Sequence, residues 1–174
     1  SPPTSRCPSP TCEAVMTVDP AVLGDIHEIT VLKYRYGRCL DNRQWEEFGS
    51  TLAPDATARY GTVSQGEPLH FDGRDAIVDY MRSSLTGTVI TTHTFGNPEI
   101  DVAGDAAEGR WSMSDIVIAP DFDTVITGAS YYTDRYVRLG GRWHIAHTEY
   151  YRLYEAVTPM STSGMRLIAN HWQS

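Results

Sequence analysis

Three residues carry the strongest chemical signal in this chain: a histidine, an aspartate and a tyrosine. His93 sits in Thr91-Thr92-His93-Thr94-Phe95-Gly96-Asn97, a stretch rich in β-formers. Tyr36 and Asp41 lie about fifty residues earlier, at the end of what reads as the first helix. An imidazole steadied by a carboxylate, with a phenol nearby, can take a proton from carbon without metal or cofactor. The chemistry requires a fold that gathers the three in a dry pocket; otherwise they are ordinary core and rim residues.

The elements that must position them follow from the pattern. Asp19-Pro20 is a helix start, with Asp as N-cap and Pro at the first helical position. The helix runs to about Cys39, with Val22, Ile26, Ile29, Leu32, Lys33 and Tyr36 on one stripe. Asp41-Asn42 breaks it. A second short helix follows, with Trp45, Phe48 and Leu52 on one face, and Pro54-Asp55 ends it. Ala56 to Val63 reads as a strand. Asp72-Gly73 precedes a third helix, Arg74 to Leu85. After Gly87 the pattern turns to long strands: Thr88 to Asp101, Ala107 to Ile118, Val125 to Leu139 and Arg142 to Tyr154, joined by Ala103-Gly104-Asp105, a loop at 119–123 and the Gly140-Gly141 turn. A short helix is expected near Met165 to Asn170. Helices followed by an antiparallel meander predict an α+β fold, a curved sheet wrapped around helices.

Such a sheet encloses a hollow lined by alternate strand residues. Trp111, Met113, Asp115 and Val117 share a face. Asp115 is the exception among apolar neighbours, and a carboxylate there needs a partner. Trp111, Met113, Tyr131 and Phe95 are the residues expected to line a pocket for a flat apolar ligand. His144 and His147, on simple alternation, face opposite sides of the last strand, a poor metal pair. No spacing of His, Cys or carboxylates suggests a metal site, and no glycine-rich loop suggests a phosphate cradle. The reading therefore includes no metal and no cofactor.

The bulk numbers narrow the classes. A chain of 174 residues suits one domain with a sizeable core. A formal net charge of −8 disfavours nucleic-acid binding and attraction to anionic lipid. No apolar run approaches a membrane span. Three irregularly spaced cysteines, Cys7, Cys12 and Cys39, are not a disulfide framework and fit a cytoplasmic protein. The expected layout is a flexible extension over 1–18, the domain over 19–155 and a tail over 156–174.

Several motifs together resemble a known family. They are Tyr34-Arg35-Tyr36 with Asp41, Trp45-Glu46-Glu47-Phe48, Leu52-Ala53-Pro54-Asp55-Ala56, Phe71-Asp72-Gly73-Arg74-Asp75-Ala76-Ile77, His93-Thr94-Phe95-Gly96-Asn97, Gly128 through Tyr136, and Gly141-Arg142-Trp143-His144-Ile145. In this order they resemble the SnoaL-like branch of the nuclear transport factor 2-like superfamily, which contains scytalone dehydratase, bile-acid 7α-dehydratase and lindane dehydrochlorinase. The resemblance implies a conical α+β barrel, with three N-terminal helices packed in a strongly curved, mostly antiparallel sheet. It implies that His93 is the base and Asp41 its partner. It implies further that Tyr36, Asp115 and Arg152 complete the site. Simple alternation puts Arg152 on the face opposite Trp143 and Ile145, so it reaches the pocket only past a bulge or at the rim.

The leading expectation is a cofactor-independent dehydratase-type lyase acting on a small apolar hydroxy-carbonyl compound of polyketide, aromatic or steroid type. An isomerase or polyketide cyclase using the same dyad is the alternative. A non-catalytic binding or assembly module is the third, since this fold hosts many functions. Aromatic residues on the last strands suggest a homodimer or homotrimer.

Overall fold

A computed structural model describes residues 19–61, 66 and 68–173. The expected extension over 1–18, with Cys7 and Cys12, lies outside the described residues. Helix α1 spans Pro20–Asp41. The Asp19 carboxylate accepts from the Ala21 amide at 2.9 Å and Pro20 opens the first turn, as the sequence predicts. Its buried residues are Ile29, Leu32, Lys33, Tyr36, Gly37, Cys39 and Leu40, most of them recurring at three- and four-residue steps. They turn one face of α1 onto the sheet. Helix α2 spans Trp45–Ser50 and α3 spans Arg74–Ser84.

Six strands form one sheet: β1 Leu52–Gly61, β2 Leu69–Asp72, β3 Ile90–Ala103, β4 Ala106–Ala119, β5 Thr124–Leu139 and β6 Arg142–Pro159. Their order is β2-β1-β6-β5-β4-β3. All neighbours are antiparallel except β1 and β6, which run parallel. The sheet curls over α1 but does not close, leaving β2 and β3 as edges. The expected barrel is therefore an open cone. A short helix, α4 (Met160–Ser163), follows β6.

Other boundaries moved for identifiable reasons. Pro54 does not end α2 but sits inside β1, where the ladder to β6 shifts register between Leu52 and Thr57. A residue with no amide hydrogen is tolerated at such an irregularity. Strand β2 has only four residues and no extended apolar alternation, so its sequence reads as loop. The helix expected near Met165 to Asn170 is absent: α4 forms earlier, where the Asp123 carboxylate accepts from the Ser161 amide and hydroxyl at 2.7 and 2.6 Å. Residues 165–170 instead run without regular structure, and the Asn170 amide reaches Thr88 O at 2.8 Å.

Inside the cone lies a core of Ile29, Leu32, Phe48, Leu52, Ile77, Trp111 and Ile145, all buried. One ion pair is sealed within it. Lys33 Nζ is 2.7 Å from Asp134 Oδ2, and both side chains are fully buried. The ammonium also lies 4.1–4.8 Å from the ring centres of Tyr36, Phe95 and Tyr132. Among the described residues no helix is long and apolar enough to cross a membrane.

Candidate active site

The end of α1 meets the start of β3, and this crossing builds the site. Gly37 makes the approach possible: a methyl group there would sit 2.9 Å from Phe95 Cε2. One turn later Asp41, the last helical residue, faces β3. Its Oδ1 accepts from His93 Nδ1 at 2.7 Å and from Thr91 Oγ1 at 2.8 Å, and its Oδ2 accepts from the His93 amide at 2.8 Å. A carboxylate only accepts, so Nδ1 carries a ring proton, and in the neutral form of the ring the lone pair lies on Nε2. The side chains of His93 and Asp41 are 13% and 16% exposed, so the pair is sheltered but reachable.

Directly across the ladder from His93 stands Asp115 on β4. Arg152 of β6 holds it with two parallel bonds, Nη1 to Oδ1 at 2.6 Å and Nη2 to Oδ2 at 2.8 Å. Arg152 Nε lies 3.3 Å from Glu155 Oε2, and all three side chains are at most 7% exposed. Burial works against the Arg152 charge, but the bonds from Asp115 and the nearby Glu155 outweigh it and raise its pKa above the ordinary value.

Arg152 reaches the interior because β6 is bulged. The β5–β6 ladder skips Ala146 between Tyr136↔Ile145 and Arg135↔His147. Trp143 and Ile145 point inward, and past Ala146 the inward set becomes Thr148, Tyr150 and Arg152. The same skip overturns the expectation that His144 and His147 face opposite sides. Both now lie on the outer parity, where His147 Nδ1 is 2.6 Å from Thr57 Oγ1. A second skip at Leu153 places Glu155 beside Arg152.

These residues open on a cavity of about 420 Å³. Tyr36, His93, Asp115, Tyr132, Arg152 and Glu155 supply its polar wall, and Tyr80 and Met81 of α3, with Leu85 just beyond it, line it as well. Val117, Ala119 and Ile126 continue the lining along the same strands as apolar side chains. The Tyr36 hydroxyl is 3.1 Å from that of Tyr60. Burial holds the Tyr36 phenol well above its ordinary pKa, so it is a neutral donor at any moderate pH.

The four pocket residues expected from the sequence lie elsewhere. Trp111 and Met113 are on the inward face of β4 as expected, but they fill the core beyond the cavity; Trp111 Nε1 donates to Tyr136 Oη at 2.9 Å. Phe95 is packed behind the wall, edge-on to Tyr132 and Tyr36. Tyr131 is 44% exposed and pairs with Tyr151 on the outer face. The residues missed are Glu155, Tyr132 and the α3 side chains. Periodicity marked Met81 and Leu85 as apolar, but nothing in the sequence says that they line a cavity rather than a core. Among the described residues no three His, Cys, Asp or Glu side chains converge as metal ligands would.

The fold has counterparts among known proteins. A candidate scytalone dehydratase from Novosphingobium aromaticivorans DSM 12444 is similar in crystal structure, with TM-score 0.69 and 21% identity over 78% of this chain and 88% of that one. The hexachlorocyclohexane dehydrochlorinase LinA-type3 from Novosphingobium barchaimii LL02 is similar with TM-score 0.71 and 18% identity, covering 85% of this chain and 97% of that one. At these identities the likeness shows the fold, a nuclear transport factor 2-like cone, and not the reaction. The sequence itself carries the closer relationship: residues 21–149, the whole span from the first helix through the dyad to the last strand, match the model of the SnoaL-like domain, and the chain belongs to that family.

Proposed function

We propose that the chain is a cofactor-independent lyase of the dehydratase type, acting on a small, largely apolar hydroxy-carbonyl compound. The observation that carries this reading is the 2.7 Å bond from His93 Nδ1 to Asp41 at the wall of a semi-enclosed cavity. His93 Nε2 takes the proton α to the carbonyl, and Asp41 steadies the imidazolium that forms. The electron pair moves onto the carbonyl oxygen, where the neutral Tyr36 hydroxyl donates to the developing enolate. The β-hydroxyl then leaves as water, taking a proton. Both Asp115 oxygens are already occupied by Arg152, so the His93 imidazolium is the better-placed donor. The Asp115–Arg152–Glu155 cluster serves as a polar wall that orients the substrate.

The same dyad supports proton transfer without elimination, as in an isomerase or cyclase, because the leaving group belongs to the substrate. Product mass separates the two: loss of one water marks the lyase, unchanged mass the isomerase. A panel of β-hydroxy ketones with aromatic or polycyclic frames provides the assay. His93→Ala is expected to lower turnover by about 10²–10⁴-fold while leaving the melting temperature near that of the parent. Undiminished turnover in that variant overturns the mechanism.

A further inference from the structure

A second recess, of about 570 Å³, is larger than the cavity and shares no lining residue with it. The middle of α1, from His27 to Arg35, forms one side, and the opening residue of α3 and the β5–β6 turn form the others. Its chemistry is the reverse of the chain's. The protein carries a formal −8, yet Arg35, Arg74 and Arg142 all line this recess, with His27 and His144 beside them and Glu28 as the only carboxylate. Three guanidinium groups against one carboxylate give a local +2 with the histidines neutral.

These cations are poorly matched by the protein itself. Arg74 Nε is closed off from solvent and has no hydrogen-bond partner among the described residues. That atom is closed to a ligand as it is to water, so what Arg74 brings to the recess it lines is its positive charge, held there at a cost the protein does not fully offset. Arg142 enters no ion pair among the described residues. Arg35 Nε is 3.8 Å from Glu47 Oε1, a weak contact, because that oxygen is already engaged by Arg38 at 2.6 Å. Like charges gathered in a concave site repel one another, and a multiply charged anion relieves that repulsion. Planar guanidinium groups suit oxyanions in particular, since each can donate two parallel bonds.

We propose that this recess binds a small ligand carrying two or more oxyanion charges, such as a diphosphate or a polycarboxylate. The site is independent of the dyad and does not rest on the lyase reading. The test is calorimetric titration of the full chain, at low ionic strength, with inorganic pyrophosphate and separately with citrate. The expected result is one saturable site for at least one probe. Its affinity falls about tenfold or more in Arg74→Gln and again in Arg142→Gln, and is unchanged in His93→Ala. Stronger binding of pyrophosphate assigns the phosphate class, and stronger binding of citrate the carboxylate class; both support the site. Arg142 is exposed at the turn, so its variant keeps the fold and the test stands even if Arg74→Gln destabilises the chain. The absence of saturable binding of either probe, or binding indifferent to the loss of Arg142 and Arg74, overturns the proposal.

Discussion

Asp41 accepts three hydrogen bonds, two from His93 and one from Thr91. An asparagine there has one acceptor oxygen and cannot hold both the His93 ring and its amide. Asp41→Asn is therefore expected to lower turnover by about 10²–10⁴-fold and to change the His93 ring-nitrogen resonances in nitrogen NMR. Unaltered resonances would show that the carboxylate does not set the tautomer. Lys33 poses a different problem, one of stability. Lys33→Met leaves the buried Asp134 without its cation, the Tyr136 hydroxyl still donating to it at 2.8 Å. Such a loss costs about 3–5 kcal/mol, whereas replacing both partners with apolar residues of similar volume recovers much of it. Urea unfolding of Lys33→Met, Asp134→Leu and the double variant measures this; a double variant as weak as the sum of the singles refutes it. Of these residues, His93, Asp41 and Tyr36 were legible because their types sit where a helix end and a strand start. Lys33 was legible only as part of a stripe, since a lysine on an apolar face gives no sign of which strand supplies its carboxylate.

At the level of elements, the sequence pattern located all three N-terminal helices and the four long strands to within a few residues, because each has strong periodicity and a marked turn. It did not reveal β2, which is too short to alternate. Nor did it reveal the skips at Ala146 and Leu153, because a bulge is a property of the ladder and not of one strand's composition. Those skips decide which β6 residues enter the cavity. The pocket lining was misread for a related reason: alternation says which face a residue takes but not how deep in the cone it lies, and Trp111 and Met113 fall on the filled side. Gly128 of β5 shows how tight the polar wall is. A methyl group there would stand 2.6 Å from Arg152 Nη1 and 2.8 Å from Asp115 Oδ1. Gly128→Ala is expected to push the pair apart at a stability cost of about 1–3 kcal/mol and to lower turnover by more than the folding loss explains. A variant with parental melting temperature and turnover would show that the wall has slack.

For the molecule as a whole, the interior is unusually rich in phenols. Tyr36, Tyr60, Tyr132 and Tyr136 all have pKa values well above the ordinary value near 10, chiefly because burial penalises the phenolate. A raised folded-state pKa means that the native chain holds protons the unfolded chain releases. The stability they contribute is complete below about pH 10 and is lost as pH climbs above it. Lys33 acts in the opposite sense: burial lowers its pKa from 10.5, so it adds stability as pH rises toward that value, one group against four. The expected outcome is cooperative alkaline unfolding above about pH 10. Near-ultraviolet titration should show four of the ten tyrosines ionising only as the ellipticity collapses. Smooth ionisation of all ten before unfolding would contradict the buried arrangement.

The parallel pairing of β1 with β6 has a consequence for how the chain is made. The partner of β1 is synthesised about eighty residues after it, so on the ribosome the β2–β1 ribbon must wait, uncovered along one margin, until the final strand emerges. Closing so large a loop is entropically slow. The hairpins of β3, β4 and β5 can zip locally in the meantime. Arg152 arrives with that last strand, so the cavity gains its cation only when β6 joins the sheet, and a nascent chain stalled before β6 would present Asp115 with nothing to neutralise it.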